Sequence, residues 1–314
     1  MREDRGTDDA EHVHRAGTTT DDPHGVTFFE TARPRLLGIA YRILGSHAEA
    51  EDAVQDTYLR WQNAEKATMK SPGAWLTTVC TRRAVDMLRS AYRTRVDYVG
   101  NWLPEPVQTL TESSDPAEML ELSSSLSTAF LLVLERLAPK ERAAYLLREI
   151  FDVGYADVAA ALDMNEAACR KLVSRANARI SRDEVRHPPS WDRQRELLAA
   201  FEDAVRTGQP DDLAQLLVSD VRLTADGGGK ASTVVDVSHG REVIRILTER
   251  FSEWWKPYEW RLAELNGALG LVLRQAGIVV ATVSLSYDAS GRIDEIYIMR
   301  NPDKLSRLHD VRIQ

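Results

Sequence analysis

The residues with the clearest chemical potential are charged side chains laid out at helical spacing. Asp52, Gln55, Asp56 and Leu59 fall on one stripe of a helix, setting two carboxylates, an amide and a leucine side by side. The opposite stripe (Ala50, Ala53, Val54, Thr57, Tyr58, Trp61) has the composition of a core face. A carboxylate stripe of this kind is either a solvated surface or a dock for a basic partner. Residues 71–95 carry five arginines, Arg82, Arg83, Arg89, Arg93 and Arg95, against the single acid Asp86. Residues 166–182 carry five basic side chains against Glu166. Guanidinium groups at this density are suited to neutralising phosphates, a contact that is salt-sensitive and blind to sequence.

Covalent and metal chemistry is poorly provided for. General acid–base catalysis needs a matched pair in a pocket, and only Asp226 and His239 qualify for testing. Asp226-Gly227-Gly228-Gly229-Lys230 has the glycines of a phosphate cradle but no Ser or Thr after the lysine and no helix start, so it reads as a tight turn. His12, His14 and His24 are scattered through a polar segment without soft ligands, and neither a metal nor a cofactor is expected. Cys80 and Cys169 lie far apart and read as small buried fillers in a reducing, cytoplasmic setting. No apolar run approaches the length of a membrane span.

The elements that must position these groups divide the chain. Residues 1–26 are polar and acidic, a disordered tail. Residues 27–95 and 123–187 have helical periodicity, while 96–122 contain six acids, no Lys or Arg, and the helix breakers Pro104, Pro106 and Pro116. The net charge of −8 therefore hides its distribution: about +4 over 28–95 and +1 over 123–186, separated by −6 in the connector. Residues 190–306 change character. Helices are expected over 191–206, 211–218 and 240–253, followed by strands at 260–265, 269–274, 278–287 and 292–299, an α+β domain with an antiparallel sheet and a short tail at 307–314.

Gly154–Leu162, the turn Asp163-Met164-Asn165 and the helix 166–180 read as a helix-turn-helix. Ala168, Leu172, Val173, Ala176 and Ile180 supply the expected buried stripe. Asn165, Glu166, Ala167, Arg170, Lys171, Ser174 and Arg175 form the start and the exposed face, short and basic as a major-groove reader should be. In the connector, Trp102-Leu103-Pro104-Glu105-Pro106 is an apolar pair in a stiff extended segment. It sits in either a solvated linker or a strap that docks on something apolar.

Arg33–Gly45 followed by Ala50–Thr57 resembles region two of the sigma-seventy class, nearest the extracytoplasmic-function group, and Pro72–Arg89 resembles that family's promoter-melting helix. Val133–Arg142 with the helix-turn-helix resembles region four. The resemblance implies a bacterial RNA polymerase sigma factor that is not an enzyme. It implies that Asp52, Gln55, Asp56 and Leu59 dock on the β′ clamp helices, that the arginines of 82–95 and a base-holding loop at 62–70 serve promoter opening, and that region four reads the upstream element and touches the β flap. Relatives often carry Asn near position 83, where this chain has Arg83, which removes single-base assignments. The acidic connector, by the same resemblance, threads the polymerase channel.

The WLPEP strap, the DGGGK turn (Asp226, Gly227, Gly228, Gly229, Lys230) and Asn301-Pro302-Asp303-Lys304-Leu305 resemble the markers of members with a fused, cone-shaped SnoaL-like domain. Multidomain architecture follows: two all-α sigma domains and an α+β cone, monomeric when free, with core polymerase and promoter DNA as partners. Trp102, Leu103 and Pro104 are expected to meet the two C-terminal motifs. Two functions stay open. The cone regulates in cis with Trp254, Trp255, Trp260 and Tyr287 filling its core, or those aromatics line a site that binds or transforms a small molecule.

Overall fold

The computed structural model describes residues 23–95, 98–108, 125–182, 189–234 and 236–308. Readings made for residues 1–22, including His12 and His14, for connector residues 109–122 and for residues 309–314 lie outside these, as do the side chains of His24, Arg93 and Arg95.

The first helical block is α1 (Pro23–Leu44), α2 (His47–Gln62) and α3 (Pro72–Arg95). α1 starts four residues inside the expected tail. Its first turn is held because Trp61 Nε1 donates to the Gly25 carbonyl at 2.8 Å and Phe28 stacks on Trp61 at 5.8 Å. Ser46 caps α2 by accepting from the Glu49 amide. Ala50, Ala53, Val54, Thr57 and Trp61 are buried as their spacing requires, and Trp75 packs 5.8 Å from Trp61.

The second block is α4 (Thr128–Glu135), α5 (Pro139–Tyr145, prolonged by a π turn at Leu146–Ile150), α6 (Tyr155–Ala161) and α7 (Glu166–Arg182). α4 is capped by Ser127, and α5 starts on Pro139 with Glu141 accepting from the Ala138 amide. One reading is corrected here. Cys169, not Ala168, joins Val173, Ala176 and Ile180 inside, because only 169 keeps the i, i+4, i+7, i+11 phase of that face; Ala168 is exposed. The larger difference concerns independence. The two blocks share a single core, in which Leu36, Ile39 and Leu88 of the first join the same cluster as Leu134, Leu147 and Val158 of the second.

The C-terminal domain comprises α8 (Trp191–Thr207), α9 (Pro210–Leu216), β1 (Leu217–Asp226), β2 (Ser238–His239), α10 (Arg241–Arg245, prolonged through a π turn to Trp254) and β3 (Glu259–Leu265). β4 (Ala268–Gln275), β5 (Ile278–Tyr287), β6 (Ile293–Met299) and α11 (Pro302–Leu305) complete it. The sheet runs β2-β1-β6-β5-β4-β3. β1 was not anticipated, although Val221, Leu223 and Ala225 alternate with polar residues. It pairs parallel to β6, so the sheet is mixed rather than antiparallel. Two-residue turns with positive φ at both positions, Asn266-Gly267 and Ala276-Gly277, join β3 to β4 and β4 to β5.

One sheet face packs on α8 and α10 through Phe201, Leu247, Phe251 and Trp255. The other face buries Ala263, Leu265, Val272, Tyr297 and Met299. It receives Leu103 of the connector with Ala129 and Leu132 of α4 packed alongside.

Candidate functional site

The acidic stripe is presented as its spacing requires. Asp52 and Gln55 are exposed and Leu59 is 50% exposed, the α2 core stripe facing away from them. Asp56 is half-buried, its Oδ2 2.6 Å from Nε of Arg83 on α3. One candidate docking carboxylate is thereby tied to one candidate promoter arginine. Arg89 pairs with Asp86 at 3.1 Å on the exposed side of the same helix. Arg82 turns toward the helix-turn-helix instead: its Nε donates to the Ala161 carbonyl at 3.0 Å and its Nη2 to the Ala160 carbonyl at 2.6 Å.

On α7 the assigned residues divide by what already holds them. Asn165 caps the helix, its Oδ1 accepting from the Ala168 amide at 2.8 Å. Glu166 pairs with Arg170 at 2.5 Å, and that guanidinium lies 4.2 Å from the Tyr155 ring centroid. Arg175 leans 3.6 Å from Glu141 of α5, with Arg179 at 2.7 Å on the same carboxylate. Ala167, Lys171 and Ser174 are exposed between them. The face is therefore a shallow, basic surface whose outer arginines are braced by carboxylates.

The connector also carries a densely bonded buried site. Asp226, 0% exposed at the end of β1, accepts four donors. Its Oδ1 takes the Tyr98 hydroxyl at 2.5 Å and the Gly228 amide at 3.0 Å; its Oδ2 takes the Leu103 amide at 2.9 Å and Lys304 Nζ at 2.7 Å. Lys304 also donates to the Leu103 carbonyl at 2.6 Å and lies 4.4 Å from the Trp102 ring centroid. Lys230 pairs with Asp303 at 2.5 Å, which closes the DGGGK turn onto the NPDKL segment.

The glycines are needed for this closeness. Gly228 has φ +58°, and a Cβ there would lie 2.3 Å from Asn301 Nδ2. Burial and then the hydrogen bond to Asp226 raise the Tyr98 phenol well above its ordinary range, so it stays a donor.

The same strap grips the first helical block from its other side. Glu105 Oε2 accepts from the His47 amide at 2.8 Å and Ser46 Oγ at 3.1 Å at the start of α2, where backbone amides lack helical partners. The Glu105 amide donates to the Gly45 carbonyl at 2.8 Å, and a Cβ on Gly45 would meet the Trp102 ring at 2.6 Å. Asn266, at the β3–β4 turn, exchanges hydrogen bonds with Val107 and donates to the Tyr41 hydroxyl, which donates in turn to the Glu105 carbonyl. Arg307 pairs with Glu51 of α2 at 2.5 Å.

Sequence reasoning missed Tyr98, Tyr41, Asn266 and Arg307. An aromatic in a polar connector and an Asn-Gly turn were visible signals, but neither says what it will touch. The aromatics of the C-terminal domain divide. Trp255, Trp260 and Tyr287 are buried in its core, whereas Trp254 is 45% exposed. Asp226 and His239 are not brought together as an acid–base pair. His239 is exposed on β2, beside a polar cleft of about 460 Å³ shared with Arg222, Asp288 and Glu295, while Asp226 is committed to the strap.

Comparison with known proteins places these elements. Residues 28–94 match the family model Sigma-70 region 2, and residues 127–180 match Sigma-70, region 4. The chain is 34% identical over 294 residues to the ECF RNA polymerase sigma factor SigJ of Mycobacterium tuberculosis, covering 90% of this chain and 93% of that protein. It is 29% identical over 279 residues to the probable ECF RNA polymerase sigma factor SigI of the same species, covering 88% and 93%. The crystal structure of M. tuberculosis SigJ matches with a TM-score of 0.70 at 33% identity, over 89% of this chain and 97% of that one.

Proposed function

The chain belongs to the extracytoplasmic-function RNA polymerase sigma factors, and we propose that its α+β domain sets that activity in cis through the WLPEP strap. Asp52, Gln55, Asp56 and Leu59 serve as the contact to the β′ clamp helices of core polymerase. The arginines of α3 and the exposed face of α7 serve as the promoter contacts, with region four also meeting the β flap. The factor acts in the cytoplasm and performs no reaction of its own.

The observation that carries the regulatory reading is the four-donor site at buried Asp226. A carboxylate fully removed from water is tolerated only when its lone pairs are satisfied and its charge is countered. Here the satisfying groups come from both ends of the contact: Tyr98 and Leu103 from the connector, Gly228 and Lys304 from the domain. Undocking the strap would take the Tyr98 hydroxyl and the Leu103 amide from Asp226 and the Leu103 carbonyl from Lys304 together, so strap and domain separate as a step rather than by degrees. Since Glu105 of the same strap caps α2, a change at the domain reaches the helix that carries the polymerase-docking stripe. Covalent tethering keeps the contact populated without a separate inhibitor protein.

In vitro transcription with core polymerase tests this. Trp102→Ala and truncation before Asn301 each remove one side of the contact, and both should shift transcript output in the same direction relative to the intact chain. If both transcribe like the intact chain, the domain does not act through this strap.

A further inference from the structure

Among the arginines of the promoter-melting helix, Arg82 is placed differently from its neighbours. Arg89 stays on its own helix with Asp86, and Arg83 pairs with Asp56 of α2. Arg82 crosses to the second helical block and bridges the carbonyls of Ala160 and Ala161, the last residues of α6. The next carbonyl, that of Leu162, takes Lys140 Nζ at 2.7 Å. Three successive carbonyls at a helix C-terminus, where partial negative charge collects, are thus each met by a cation. A cleft of about 360 Å³ opens beside them, lined by Arg82, Asp86, Arg89, Lys140 and Asp163.

We infer that Arg82 is an exchangeable latch: it holds the helix-turn-helix against the melting helix in the free chain and is released only when a promoter phosphate takes the place of the two carbonyls. This rests on the proposed role of α3 in promoter binding. A guanidinium fork suits two adjacent carbonyl oxygens and two phosphate oxygens alike, but the same donors cannot serve both at once. The docked carbonyls therefore act as an internal stand-in for the nucleic-acid backbone, and each state excludes the other.

The docking itself is not the work of Arg82 alone. The Tyr92 hydroxyl lies 3.2 Å from the Glu135 and Leu137 carbonyls, Arg35 Nη2 donates to the Phe151 carbonyl at 2.9 Å, and the shared apolar core lies beneath. Arg82 is the one of these polar contacts that belongs to the promoter set, so it couples the two events.

The test uses the full-length chain with fluorophores on Ser90→Cys and Ala178→Cys, both exposed positions, the native Cys80 and Cys169 being buried. Arg82→Ala should raise the ratio of open to docked molecules about tenfold, the size appropriate to two charge-assisted bonds on a partly exposed side chain. In the holoenzyme it should also lower the salt dependence of promoter binding by about one unit of slope. Arg82→Lys keeps the charge but loses the fork. It should open the chain to an intermediate degree and keep the salt slope of the unmodified protein, which separates the latch from a general loss of stability.

If Arg82→Ala leaves the interdomain distance unchanged, the latch is overturned whatever happens to promoter binding. If the variant opens the chain but the salt slope does not move, Arg82 is not a promoter contact. The exchange is then overturned together with that part of the proposed function, while the docking contact stands.

Discussion

Replacing Asp226 by alanine probes the joint on which the regulatory reading depends. The substitution removes the acceptor for the Leu103 amide, the Tyr98 hydroxyl and the Gly228 amide, and strips the counter-charge from Lys304, which is only 12% exposed. Tyr98 still accepts from Asn301 Nδ2 at 2.8 Å but its own proton loses its acceptor, Lys304 keeps the Leu103 carbonyl, and the Leu103 and Gly228 amides lose the carboxylate altogether. Breaking one partner of a buried ion pair costs about 3–5 kcal/mol, most of it the penalty of the stranded charge.

That cost falls on the docked strap, because two of the four donors that Asp226 satisfies, the Tyr98 hydroxyl and the Leu103 amide, belong to it. Native-state amide hydrogen exchange reads it locally. The Glu105 and Val107 amides, bonded to the Gly45 carbonyl and Asn266 Oδ1, keep their own acceptors in the variant and so report on the strap as a unit. They should exchange about 10²–10⁴ times faster, the opening free energy falling by the cost above. Adding Lys304→Met removes the stranded ammonium and should restore part of the protection, about 1–3 kcal/mol of coupling. If only the Leu103 amide accelerates while Glu105 and Val107 exchange as before, the strap does not open cooperatively, and the argument from Asp226 to α2 fails.

Two further outcomes bear on the interfaces. Asp52→Arg/Asp56→Arg should abolish binding to core polymerase in a pull-down or anisotropy titration while the melting temperature stays near that of the unmodified chain. The Asp56–Arg83 pair is half-exposed and contributes only about 0–1 kcal/mol, and unchanged core affinity would remove α2 as the docking helix. Lys171→Ala should weaken promoter binding evenly and lower its salt slope by about one if it meets phosphate, or relax specificity at one position if it meets a base. Normal transcription from cognate promoters after joint replacement of Arg170, Lys171 and Arg175 would reject α7 as the recognition helix.

Much of this protein is determined locally, and local features are legible in the sequence. The acidic stripe on α2, the basic face of α7 and the strands β3 to β6 follow from periods of 3.6 and 2, since a side chain's face is fixed by its position in the element. Where the period was taken one residue out of phase, as at Ala168 against Cys169, the error was local too. β1 went unread because its alternation follows directly on the helix α9, with no turn residues to mark the change.

What tertiary structure decided is which surfaces meet. Nothing in the periodicity of α3 distinguishes Arg82 from Arg89, yet one reaches the carbonyls of α6 and the other stays on its own helix. The sequence marks WLPEP, DGGGK and NPDKL as unusual, but their shared center, the buried carboxylate of Asp226, exists only once β1, the connector and α11 converge. Tyr98, Tyr41 and Asn266 enter the joint for the same reason. A buried polar group must find its partner wherever the fold brings one, and that partner lies 128 residues away for Tyr98 and Asp226.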